Sequence, residues 1–320
     1  MKPMPRTLAV AAALTLAVSA AGAKTLVYCS EGSPENFTPA LNTTGTSFDA
    51  ARPVYDKLTQ FARGSTVVEP GLAESWTVSP DSKVFTFKLR AGVKFHSGVN
   101  GFRPTRDLNA DDVVFSFERQ WKPNHPYAKV SGGKYDYFAD MGFNDDLASI
   151  EKVDPLTVRF TFKKPNVTML ANLAMDFAAV HSAEYADMLD KAGKKEQLDQ
   201  FPVGTGPFSF VTYQKDAVIR FKANPGYWGE KAIVDDLVFA ITPDPTARYS
   251  KLKAGECHFV IAPRPADLPE MSKDDKLRVI NQSGLNIAYW AFNTQKPPFD
   301  KKEVRQALNM AIDKAAIIKD

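Results

Sequence analysis

Phe85-Thr86-Phe87-Lys88-Leu89-Arg90-Ala91-Gly92-Val93-Lys94-Phe95-His96, followed by Asn109-Ala110-Asp111-Asp112-Val113-Val114-Phe115-Ser116, changes its periodicity partway along. Phe85, Phe87 and Leu89 alternate with Thr86, Lys88 and Arg90, the period of a half-buried strand. Ala91-Gly92 ends it. Asn109 has a side chain that accepts from free amides, which predicts a helix cap. Asp111 and Asp112 then fall in the positive first turn, with Val113, Val114 and Phe117 behind them. A second alternating strand at Val158, Phe160 and Phe162 stops before Pro165. Strands interleaved with capped helices predict an α/β chain with mixed sheets.

Outward from this stretch, Lys24–Ser30 reads as a strand, with Leu26 and Tyr28 on one face and Val27 and Cys29 on the other. The polar run Asn42-Thr43-Thr44-Gly45-Thr46-Ser47 follows. Ala171–Lys191 predicts one or two helices. Val203-Gly204-Thr205-Gly206-Pro207-Phe208 predicts a tight turn into a strand over Phe208–Gln214, with further strands at Val218–Phe221 and Leu237–Ile241. Pro243–Glu256 predicts a helix offering Ala247, Tyr249 and Leu252 to the core. Asp300 and Glu303 make a cap-like pair before a helix in which Val304, Leu308, Ala311, Ile312 and Ala315 recur at helical spacing. The sequence stops at Asp320 within that pattern, without a Gly or Pro stop, so a truncated chain is expected.

Forty Lys and Arg against 37 Asp and Glu leave a formal charge of +3, which excludes a phosphate-tracking surface and hence nucleic acid as the main partner. A hydrophobic share of 44% is enough to offset ordering entropy over most of the chain. Lys2 and Arg6 precede the apolar run Leu8–Val18, and Ala21-Gly22-Ala23 offers the small residues a signal peptidase reads. Export with cleavage after Ala23 is expected, the apolar run being too short to span a bilayer. Cys29 follows bulky Tyr28, well past Ala23, so lipid attachment is excluded and free release into the periplasm is expected. Cys29 and Cys257 are the two cysteines; an even count in an oxidising compartment predicts one disulfide, two buried thiols being the alternative.

Chemistry is harder to find. His96, His125, His181 and His258 never pair at zinc-helix spacing, and neither a nucleophile elbow nor a Walker-type phosphate loop occurs. Gly204-Thr205-Gly206 opens like a dinucleotide loop but runs through Pro207 into a strand, where phosphate binding needs a helix N-terminus. Neighbouring Asp111 and Asp112 point different ways on a helix and serve better as cap residues than as a catalytic pair. No catalytic residue, metal site or cofactor is expected. A secreted hydrolase with scattered carboxylates is the alternative from another functional class.

Several motifs together, Leu72-Ala73-Glu74-Ser75-Trp76, Phe85–His96, Asn109–Ser116, Val203–Phe208, Asn224-Pro225-Gly226-Tyr227-Trp228-Gly229, Arg248-Tyr249-Ser250-Lys251-Leu252 and Val304–Ile312, resemble the family 5 bacterial solute-binding proteins, receptors of ABC importers. Thr25–Pro34, Pro104–Asn109 and Lys129-Val130-Ser131-Gly132-Gly133 resemble the family's dipeptide receptors in particular.

The resemblance implies a two-lobed periplasmic binding protein, type II-like, with an extra inserted domain and with the second lobe mostly missing. Residues 24–55 and 178–285 would form domain I, 56–177 domain II, and 286–320 the start of domain III. It implies a Cys29–Cys257 disulfide, a hinge at Gly284-Leu285-Asn286, and backbone contacts to ligand from Thr43, Thr44, Gly45 and Thr46, a plain surface turn being the alternative for that loop. The Asp and Arg that would pair with the termini of a dipeptide are expected beyond Asp320. Implied partners are dipeptides, an inner-membrane ABC permease and a chemoreceptor, for a chain acting as a monomer. Haem, nickel or oligopeptides are the alternative ligands within the same fold.

Overall fold

The computed structural model describes residues 23–281 and 289–319. Residues 1–22 of the expected leader and the expected hinge at Gly284, Leu285 and Asn286 lie outside the described residues. The chain divides into two compact units, Met1–Lys276 and Leu277–Asp320.

Three sheets organise the first unit. Strands β4 (Ala73–Val78), β5 (Val84–Leu89), β6 (Leu147–Asp154) and β7 (Thr157–Phe162) form an antiparallel sheet in the order β4-β5-β7-β6. The alternation in β5 and β7 does what its period dictates: Phe85, Phe87, Leu89, Val158, Phe160 and Phe162 are all buried. Phe87 and Phe160 meet edge-on at 5.8 Å, and Phe117 from the helix Ala110–Trp121 meets Phe160 at 5.1 Å. That helix begins as expected. Asn109 accepts from the Asp111 amide while the Asp112 carboxylate accepts from the Asn109 amide, a reciprocal capping box. A short hairpin pairs β2 (Thr59–Phe61) with β3 (Val68–Pro70).

The third sheet is mixed and assembled from distant parts of the sequence. Its order is β11 (Phe259–Val260), β1 (Thr25–Ser30), β10 (Asp236–Ile241), β9 (Val218–Ala223) and β8 (Phe208–Gln214). β1 runs parallel to both β10 and β11, whereas β10, β9 and β8 are antiparallel. Cys29 and Cys257 are joined by a disulfide, with Cα atoms 5.8 Å apart, an ordinary span for such a bond. His258 closes the same seam. Its amide donates to the Val27 carbonyl, and its Nδ1 accepts from the Val27 amide at 2.9 Å.

Of three expected helical segments, the first forms as two helices and the other two differ in limits or capping. Ala171–Lys191 breaks into Met169–Asn172, a 3-10 turn at Asp176–Ala178, and Ala183–Lys191, where the Ser182 hydroxyl caps a fresh start by accepting from the Tyr185 amide. The helix expected over Pro243–Glu256 is Pro245–Lys253, set by Asp244 accepting from the Ala247 amide and by Pro245 in the first turn. Arg248 and Tyr249 are its buried residues, while Ala247 and Leu252 are half-buried. In the second unit the helix Lys302–Ala311 has no side-chain cap, and Asp300 offers its carbonyl to Arg305 instead. The apolar pattern through Ala315 is interrupted at Ile312, where the backbone is extended, and Asp313 starts a new helix, Lys314–Lys319, by accepting from the Ala316 amide.

Candidate functional site

The loop singled out by the sequence leads into a short helix, Gly45–Ala51, whose buried Phe48, Ala50 and Ala51 anchor it to the core. Thr44 precedes the first turn in extended backbone, and its hydroxyl donates to Ser47 Oγ at 2.9 Å rather than capping the helix. Ser47 Oγ in turn accepts from the Glu35 amide at 3.0 Å. First-turn amides have no intrahelical acceptor, so those of Gly45 and Thr46 are left as donors at the end of the loop, while Ser47 is buried. Thr43, Thr44 and Gly45 are exposed and Thr46 is half-buried. A Cβ added at Gly45 would meet nothing within 4 Å. The four residues therefore form one open, polar, donor-rich turn.

Charges gather one turn further along. Arg52 bridges Asp49 at 2.6 Å and grips Asp176 through Nε and Nη2 at 3.1 and 2.8 Å. Tyr28 donates to Asp49 Oδ2 at 3.3 Å. Burial pushes the Asp49 carboxyl up against the pull of Arg52, and burial together with the Asp49 charge pushes the Tyr28 phenol up.

Groups able to do acid–base chemistry are bonded within the fold or, like His181, whose ring nitrogens have no hydrogen-bond partner among the described residues, shut away by burial. His96 is buried, and its Nδ1 accepts from the Gly204 amide, so Nε2 carries the proton and donates to the Gly206 carbonyl at 2.9 Å. Burial holds its pKa down at about 4. His181 is buried against the Tyr55 ring, with ring centroids 4.6 Å apart, and burial plus the nearby Arg119 charge hold it at about 3. Asp112 accepts both Arg106 Nη groups and the Ala183 amide. Asp56 accepts from Thr205, Trp228 and Tyr227, and burial pushes its carboxyl up. Gly204 lacks a side chain because a Cβ there would lie 2.0 Å from the Val54 carbonyl oxygen, which gives the glycine a packing role in place of phosphate binding. Among the described residues no group of three or more His, Cys, Asp or Glu could hold a metal ion, and no helix is long and apolar enough to cross a membrane.

Buried polar residues leave little local signal in the sequence. Arg119 and Asp199 form an ion pair at 2.9 Å with both side chains about 1% exposed. A signal for it existed: Asp112, Ser116, Arg119 and Gln120 recur at helical spacing and all are buried, a polar stripe beside the apolar one.

A family model, bacterial extracellular solute-binding proteins, family 5 Middle, matches residues 67–320. The chain belongs to this family. Relatives include a "Dipeptide-binding protein" of Escherichia coli, 53% identical over 308 residues that make up 96% of this chain and 57% of the relative. Another is "Heme-binding protein A" of Haemophilus influenzae, 54% identical over 92% of this chain and 54% of the relative. A crystal structure of a dipeptide-binding protein from Pseudoalteromonas sp. SM9913 in complex with Met-Leu matches with a TM-score of 0.88 and 40% identity, covering 92% of this chain and 58% of that one. The chain thus spans a little over half the length of the relatives it matches. As a family 5 member it has the fold of a solute-binding protein, and its family is one of extracellular binding proteins rather than of enzymes.

Proposed function

We propose that this chain is part of a periplasmic dipeptide receptor of an ABC importer, exported through a leader cleaved after Ala23. The observation that carries this reading is its likeness, across 92% of its residues, to a solved protein holding Met-Leu. The Thr43–Thr46 turn supplies backbone donors for the ligand. Residues 24–55 with 178–285 act as one domain and 56–177 as an inserted one, a division supported by two separate larger sheets, one built from β1 and β8–β11 and the other from β4–β7. Residues from 286 begin a third domain, with the hinge at Gly284-Leu285-Asn286. The closed, liganded monomer docks on the permease and also on a chemoreceptor. It catalyses nothing.

Titration of the full-length receptor of which this chain is part with Met-Leu, followed by NMR of backbone amides, tests the site. The Thr43, Thr44, Gly45 and Thr46 signals are expected to shift in concert. Gly45→Pro removes one donor while suiting the first helical position, and should weaken binding about tenfold, the cost of one hydrogen bond. Gly45→Ala keeps the donor and should bind as the parent does. Signals in this turn that stay still while others saturate would remove the turn from the site. A haem receptor is the second reading, favoured by the identity to the Haemophilus influenzae protein; a Soret band that titrates with added haemin and is displaced by dipeptide would decide for it.

A further inference from the structure

Asp199 lies in a four-residue helix, Gln197–Gln200, far in sequence from the Thr43–Thr46 turn, yet it is bonded to the segment that leads into it. Its side chain is about 1% exposed. Oδ1 accepts from Thr38 Oγ1 at 2.5 Å and from Arg119 Nη2 at 2.9 Å, while Oδ2 accepts from Ser131 Oγ at 2.8 Å and again from Arg119 Nη2 at 2.9 Å. Its backbone carbonyl accepts from the Phe37 amide at 2.9 Å. The ion pair runs through Arg119 Nη2 alone and leaves lone pairs of the buried carboxylate to be filled. The two hydroxyls fill them, and each brings in a separate segment.

The Thr38 arm runs straight towards the turn. The Thr38 carbonyl accepts from the Leu41 amide and from Asn42 Nδ2. Asn36 Oδ1 accepts from the Thr38 amide and from Asn42 Nδ2, both at 2.9 Å. Asn42 is therefore held from both sides, and Thr43 is its neighbour. The Ser131 arm accounts for the Lys129-Val130-Ser131-Gly132-Gly133 motif. Ser131 adopts a left-handed φ of 53°, and Gly133 is required because a Cβ there would lie 2.0 Å from the Ala128 carbonyl oxygen. The backbone is bent so that this hydroxyl reaches Asp199.

We propose that Asp199 is a positioning residue: through Thr38 and Asn42 it fixes the Thr43–Thr46 turn, and through Ser131 it ties that turn to the Lys129–Gly133 segment. This role rests on reading the turn as a ligand contact. A carboxylate whose lone pairs are all taken in a buried site has little freedom to move, so its geometry is passed to the loop bonded to it.

Thr38→Val removes the hydroxyl at nearly constant volume and leaves the Arg119–Asp199 pair alone. Amide exchange at Leu41, Asn42 and Phe48 should accelerate and Met-Leu affinity should fall, each by about tenfold, the equivalent of one neutral-to-charged hydrogen bond at the low end. Thr38→Ser should restore both, and exchange at Phe87 and Phe160 in the antiparallel sheet should not change. Should the valine fail to fold, Thr38→Ala, with no second methyl to place, gives the same two readouts. Unchanged exchange at Leu41 and Asn42 overturns the positioning role, as does loss of affinity that serine does not rescue. Gly45→Pro run alongside separates the two ideas. If it leaves Met-Leu binding intact, the ligand reading of the turn fails whatever Thr38 does; if it weakens binding and Thr38→Val does not, the positioning role alone fails.

Discussion

Asp56 and His181 are single residues whose burial sets opposite pH behaviour. Asp56 is 9% exposed and meets three neutral donors. Its carboxyl is raised by burial, so it favours the folded state most at acid pH, and this contribution is lost as pH rises through the folded value. Asp56→Asn can still accept from Thr205 and Trp228, and should be at least as stable as the parent at neutral pH. Its advantage should shrink as pH falls. Asp56→Ala, which strands those buried donors, should lose about 2 kcal/mol. Denaturant titrations of the three proteins at neutral and acid pH decide this. His181 titrates in the other direction. Its pKa is held down at about 3, so stability is complete above the ordinary histidine value of about 6.5 and drains away as pH falls from there toward the folded value. His181→Phe should flatten the slope of stability against pH by about 1.4 kcal/mol per unit between about pH 6 and pH 5, one proton's worth. An unaltered slope would show that the imidazole titrates normally.

Elements were legible where local signals agreed with one another. The strand at Phe85 has its alternation, the helix at Asn109 its capping side chain and the strand from Phe208 a tight turn before it, and all three form as expected. Asn109→Ala should therefore cost about 1 kcal/mol, the usual value of an N-cap. Asp112→Ala should cost more, because Arg106 and the Ala183 amide lose their acceptor too; urea unfolding of the pair checks the order. Elements are less legible where backbone carbonyls, which the sequence does not mark, take up a side chain. The helix after Asp300 has no side-chain cap, and Arg305 takes the Asp300 carbonyl. Arg248 was overlooked as a core residue because its guanidinium is satisfied by the Thr242, Pro243 and Ala262 carbonyls, which only the folded chain brings together. The polar turn at Thr43–Thr46 was visible from its composition. Its support by Asp199, more than 150 residues later, was not.

At the scale of the molecule, the Cys29–Cys257 bond spans 228 residues. Closing a loop of that length removes disorder from the unfolded chain, and by the loop-entropy relation its loss should lower stability by about 5 kcal/mol. The Cys29→Ser, Cys257→Ser double variant, unfolded in urea beside the parent, measures this; a difference near zero would mean the open chain already holds its ends together. The placement of β1 between β10 and β11 has a further consequence for how the protein is made. The two neighbours of β1 lie far along the chain, at Asp236–Ile241 and Phe259–Val260, so this sheet cannot close on β1 until they are made, whereas the β4–β7 sheet is continuous in sequence and can form before them. The first strand waits bare until β10 is complete at Ile241, and the sheet shuts around its other edge only when Val260 has been added.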